Sequence, residues 1–227
     1  MGLFNRYVEP QKRKKENELT LKKLGIAFNE NLPCVESSKD VKLKDIDKIC
    51  KRAIACLIST QLACDINNNE DYENSKQFFN NLLRQFGAET ELTNVEKRLF
   101  DGSYNSQDTI NVTWEYECYW SLIWALGLIN DDEMTPNKIC DCNKAINVVA
   151  SCKSYDEFKN KTKLRDIEEI LDMVDLFYRY DWACVDKKIN PSTNIGFLDP
   201  EVVNERRKGL EWLISEVDDW DEISLDT

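Results

Sequence analysis

The sequence predicts an all-α fold, and three observations carry that prediction. Gly and Pro number only seven and five in 227 residues, too few for a turn-rich β-architecture. Apolar side chains recur at three- and four-residue spacing in one stretch after another. The stretches are bounded by helix signals: Thr93-x-x-Glu96 and Ser154-x-x-Glu157 as capping boxes, and Gly25, Gly87 and Gly127 as stops. Eight or nine helices of unequal length follow, arranged as a single-domain array (1–227) rather than an up-down bundle.

Pro10 opens a basic first helix that ends at Gly25, so that 1–25 forms a basic arm. Residues 26–39 are extended, because Leu32-Pro33 disfavours helix. A helix over 43–65 buries Ile46, Ile49, Cys50, Ala53 and Leu57, and Asn67-Asn68-Asn69 ends it. The next, over 70–86, places Phe78, Phe79, Leu82, Leu83 and Phe86 on one side. A short helix follows Thr93 and stops near Gly102. One continuous helix is expected over 108–126, burying Trp114, Cys118, Leu122 and Ala125. Thr135-Pro136 reads as an N-cap with proline at the first helical position, opening a helix to about Ser151. The longest helix covers 163–186. Asp199-Pro200 starts the last one, and the acidic tail 218–227 is expected to fold back because it carries Trp220.

Composition removes several classes of function. The chain has no histidine, which excludes Ser-His-Asp and Cys-His catalysis and His-ligated metals. Nine cysteines at irregular spacing, in an odd count, fit a reduced cytoplasmic protein better than a disulfide framework. Cys140-Asp-Cys142 with Cys152 lacks the spacing of a structural zinc site. No metal and no cofactor are expected. The run 118–129 is too short to span a bilayer and reads as a core helix, so no membrane association is expected. Gly2 suggests myristoylation, but Arg6 stands where that motif requires Ser or Thr. The net charge of −12 opposes nucleic acid as main partner. Residues 6–23 reverse that balance, with seven basic and three acidic side chains, while 216–226 carries six acids and no base.

On a helical wheel, residues 164–185 are apolar on most sides. Leu164, Ile167, Leu171, Val174, Tyr178 and Trp182 form one face, and Ile170, Met173 and Phe177 cover much of the back. Glu168, Asp172, Asp175 and Arg179 follow i, i+4, i+7, i+11 and form a charged stripe beside the apolar face. Two readings fit this stripe. The acids could hold a divalent cation, helped by Glu115 or Glu117 from a facing helix. They could equally form ion pairs, Asp175 with Arg179 at i, i+4 and the others with bases from other helices.

The motifs Trp124-Ala125-Leu126-Gly127, Glu169-Ile170-Leu171-Asp172, Asp175-Leu176-Phe177-Tyr178-Arg179 and Trp182-Ala183 occur in that order. Val202-Val203-Asn204-Glu205-Arg206, Leu210-Glu211-Trp212-Leu213 and Trp220-Asp221 follow them. In this succession the chain resembles the bacterial domain of unknown function 4272 family along nearly its whole length. The resemblance implies no activity. It places histidine before the Trp-Ala pair and after the Glu-Arg pair, where this chain has Asp181 and Arg207. Any chemistry those histidines perform is therefore closed to this member.

The candidate polar network or pocket comprises Glu168, Asp172, Asp175, Tyr178, Arg179, Trp182, Glu205, Arg206, Trp212, Trp220 and Asp221. Arg179 and Arg206 are expected to grip Asp172, Asp175, Glu205 or Asp221, with Trp182, Trp212 and Trp220 packed over them. Three functions remain open: a non-catalytic protein that binds another protein as inhibitor, immunity-type partner or adaptor; a His-free enzyme using Mg²⁺ or carboxylate–Tyr chemistry; and nucleic-acid contact through the basic first helix. The first is preferred, so the expected partner is a protein and catalysis is the lesser expectation.

Overall fold

The computed structural model describes residues 7–226; the Gly2 and Arg6 reading and Thr227 lie outside the described residues. Among those described, all regular backbone is helical. The elements are α1 (Pro10–Leu24), α2 (Ile46–Asn67), α3 (Tyr72–Phe86), α4 (Asn94–Asp101), α5 (Ser106–Trp114), α6 (Tyr116–Ala125), α7 (Cys142–Ala150), α8 (Tyr155–Lys159), α9 (Ile167–Ile189) and α10 (Pro200–Ile214). The protein is all-α.

Local signals set most boundaries. The Thr93 and Glu96 side chains cap each other's backbone amides at the start of α4. Asp166 caps α9 by accepting from the Glu168 amide, and Asp199 with Pro200 starts α10. Two expectations fail for tertiary reasons. The helix expected over 108–126 breaks at Glu115, whose amide makes a tight bond back to the Val112 carbonyl at 3.1 Å. Side chains of α2 hold the join, with Thr60 Oγ1 donating to Val112 O and Cys56 Sγ to Glu115 O. With α5 and α6 counted as one interrupted helix, nine α-helices are present among the described residues. The helix expected to begin at Thr135-Pro136 begins instead at Cys142, capped by Asp141. Backbone groups of Thr135, Pro136, Lys138 and Cys140 are bonded elsewhere in the fold, so they cannot close a helical turn.

Every residue of α6 is buried, which makes it the centre of the array. α10 packs across α6 and along α9, α1 lies beside α9, and α2 packs against α3, α5 and α6. The crossing of α10 on α6 requires Gly209, because a Cβ there would stand 2.7 Å from the Cys118 carbonyl oxygen. Gly127 ends the turn after α6 at φ +70°, where a Cβ would meet the Lys163 carbonyl oxygen at 2.7 Å. That close approach lets Lys163 N and Arg165 N donate to Leu126 O and Ala125 O, which fixes where α9 starts. No helix among the described residues is long and apolar enough to cross a membrane.

Candidate functional site

The charged stripe of α9 meets α1, which supplies partners the sequence did not single out. Arg13 donates to Glu168 Oε2 at 2.7 Å, and Ser38 Oγ donates to the other oxygen. Seven residues beyond Glu168, Asp175 forms a fully buried two-bond pair with Arg179 at 2.9 and 2.6 Å. Asn17 Nδ2 donates to Asp175 Oδ2 at 2.9 Å, and Glu18 lies 3.7 Å from Arg179. Two of the three stripe acids are thus already occupied by arginine. That geometry argues against a three-carboxylate cation site, because guanidinium groups fill the places a metal would take.

Asp172 is the exception. It is exposed, and among the described residues it has no ion-pair partner. Though much of its surface is open, the protein around it partly desolvates the carboxyl and raises its pKa above the ordinary carboxylate value, an effect only partly offset by the charge of Arg13. It borders a cleft of about 1090 Å³ that opens over the start of α9, lined also by Glu168, Lys163, Leu164 and Arg165. The cleft does not reach Arg179, which is fully buried. The stripe therefore has two locked positions, Glu168 with Arg13 and Asp175 with Arg179, and one open position between them, Asp172.

Arg206 corrects the expected pairing. Its partner is none of Asp172, Asp175, Glu205 or Asp221 but Glu117 on α6, at 2.8 and 2.7 Å, with both side chains buried. It also donates to Thr135 O and Lys138 O, while Glu117 accepts from Cys140 N. A lone Glu in the most apolar helix was the signal; nothing local identified its partner. Glu205 instead faces Cys118 at 3.2 Å and Lys208 at 3.4 Å. Trp182 is half-buried against the core, and among the described residues it stacks on no arginine.

Asp181 and Arg207, the two positions where histidine was expected from the resemblance, are joined to each other by a buried ion pair at 2.6 Å. Arg207 also donates to the carbonyls of Leu225 and Asp226, and its guanidinium lies 4.8 Å from the Tyr178 ring centre. Burial raises the Tyr178 pKa. The paired charges thus perform a holding role on the segment after α10.

That segment packs against α2, α10 and the start of α6 through Trp220 and Asp221. Trp220 is fully buried, packed edge-on to Trp212 at 6.1 Å and 4.2 Å from the Arg52 guanidinium. Its indole N–H points to Glu115 Oε1 at 3.4 Å, and Asp221 lies 3.4 Å from Lys208. Arg52 forms a two-bond pair with Glu96, Glu115 is in no salt bridge among the described residues, and burial drives the Glu115 pKa well up against the opposing charges of Lys208 and Arg52. Among the described residues Cys56, Glu96 and Glu115 bring donor atoms within 4.8 Å of one another. Arg52 already neutralises that spot, and burial raises the Cys56 thiol well above its ordinary value, so the trio is a poor cation ligand set.

The molecule is thus an all-α scaffold whose helices are cross-braced by buried arginine–carboxylate pairs, with a charged cleft at the start of its longest helix. Its family is known from the sequence model it matches over residues 13–223: the chain belongs to the family described as Domain of unknown function (DUF4272). No match to the chain was found among curated proteins or solved structures.

Proposed function

We propose that the chain is a non-catalytic protein that binds another protein. The observation that carries this reading is the state of its ionisable interior. Glu117, Glu168, Asp175 and Asp181 are each engaged by an arginine that also ties down backbone or a neighbouring helix. Groups committed in this way brace a scaffold and are not free to exchange protons with a substrate. What the molecule offers outward is an acidic surface, with a net charge of −12, suited to steering a basic partner. Nucleic-acid contact through α1 fits less well: Arg13 is buried against Glu168, and Lys14 is bonded to the Glu30 and Leu32 carbonyls.

The test is quantitative affinity purification from the native host, followed by reconstitution with the recovered partner. One stoichiometric protein whose affinity falls with added salt is expected. A chain that stays alone through repeated purifications would overturn the reading. A second reading, an acid–base or Mg²⁺-dependent enzyme, is favoured by one observation, the raised pKa of Asp172 in an open cleft. Thermal stabilisation by Mg²⁺ that disappears in Asp172→Ala would support it.

A further inference from the structure

The cleft at the start of α9 is unusual for the mixture of charges it leaves open. Most of its ionic groups are answered within the chain: Glu168 by Arg13, Glu16 by Lys12, and Arg165 by Asp131 and Glu169. Three have no ion-pair partner among the described residues. Asp166 is spent on capping α9, which leaves Asp172 and Lys163, both lining the cleft. A third group points to the same occupant. Arg13 lines the cleft and is 1% exposed, yet its Nε has no acceptor. A buried donor left empty is costly, which favours an acceptor brought by a ligand.

We propose that this cleft binds a polypeptide segment carrying both a basic and an acidic side chain, the basic one on Asp172 and the acidic one on Lys163. A backbone carbonyl or the same acidic side chain would satisfy Arg13 Nε. Three arguments select this class. A purely anionic ligand would meet Asp172 and Glu169, and a purely cationic one would meet Lys163 and Arg165, so each alone is opposed by half of the lining. The apolar walls, Val8, Leu43 and Leu164, suit the stems of long side chains and not a compact ion. The volume of about 1090 Å³ lies at the upper end of small-molecule pockets and accommodates several residues of chain. Burial has raised the Asp172 pKa, and an incoming ammonium or guanidinium would draw that carboxyl back to its charged form.

This inference rests on the protein-binding reading, and it is tested separately with a random peptide display library. The library is selected on the full chain after depletion on the double variant Asp172→Asn/Lys163→Gln, which offers neither charge. Both side chains lie outside the buried pairs, so the variants are expected to keep the parent's thermal midpoint. Enriched peptides should contain Lys or Arg together with Asp or Glu. Their affinity should fall at least about tenfold in Asp172→Asn and in Lys163→Glu alone, as the loss of a charge-assisted contact implies. Reversing the peptide's basic residue should restore binding to Asp172→Lys. No enrichment after depletion, peptides of one charge sign only, or equal affinity for parent and variants would each overturn the assignment. If a host partner binds the double variant undiminished, the cleft assignment falls while the protein-binding reading stands. If selected peptides behave as described but the host yields no partner, the cleft assignment stands and that reading falls.

Discussion

Arg206→Met should be among the most destabilising single changes that leave chain volume nearly intact. Arg206 and Glu117 are 1% and 2% exposed, and they link α10 to α6, the two helices at the centre of the array. Removing the guanidinium leaves the Glu117 carboxylate buried with no cation, held by the Cys140 amide alone among backbone donors of the described residues. An uncompensated charge of this kind costs about 3–5 kcal/mol. Thr135 O and Lys138 O also lose their donors, at about 1–3 kcal/mol for each that stays dry. Such a loss would consume much of the roughly 5–15 kcal/mol that holds an ordinary domain together. Glu117→Leu should cost a similar amount, because it strands Arg206 instead. The double variant Glu117→Leu/Arg206→Met removes both charges at once. It should therefore be no less stable than either single variant, with a coupling energy of at least about 2 kcal/mol. Urea unfolding followed by tryptophan fluorescence at neutral pH reads all four proteins. Single losses below about 1 kcal/mol, or losses that simply add in the double variant, would refute the account of this pair as a charge-compensated brace.

Trp220→Ala should cost about 3–5 kcal/mol in the same assay, since a fully buried indole packed on Trp212 and Arg52 is removed; a loss under about 1 kcal/mol would mean that the tail is not docked. Glu115→Gln tests the raised pKa. The folded state holds this proton more tightly than the unfolded chain, whose value is near 4.5. The Glu115 contribution is therefore full below that pH and is lost as pH rises toward the folded value. Over that window the parent should lose stability relative to Glu115→Gln, and parallel stability–pH curves would contradict the assignment. Gly209→Ala should destabilise by about 1–3 kcal/mol, because its Cβ would meet the Cys118 carbonyl oxygen at 2.7 Å, and α10 would have to shift off α6. A Tm equal to the parent's would show that the crossing is looser than described.

The division between what was readable in the sequence and what was not follows the range of the interactions. Helix existence is governed by spacing and caps within a few residues, so the all-α class, the Thr93 box and the Asp199-Pro200 start were legible without coordinates. So was the Asp175–Arg179 pair, because four residues on one helix place two side chains together whatever surrounds them. The failures occurred where a distant segment competed for local backbone: α2 side chains at the Glu115 break, and Arg206 drawing the carbonyls near Thr135 out of a helix. Partner choice was beyond the sequence altogether. Arg206 meets Glu117 across 89 residues, and Arg13 meets Glu168 across 155, because helix crossings set those encounters and no periodicity encodes them. The same crossings decided the fate of the charged stripe on α9. The sequence by itself determined that Glu168, Asp172, Asp175 and Arg179 share one side of a helix; only the tertiary structure determined that α1 closes over part of that side and leaves Asp172 facing a cleft.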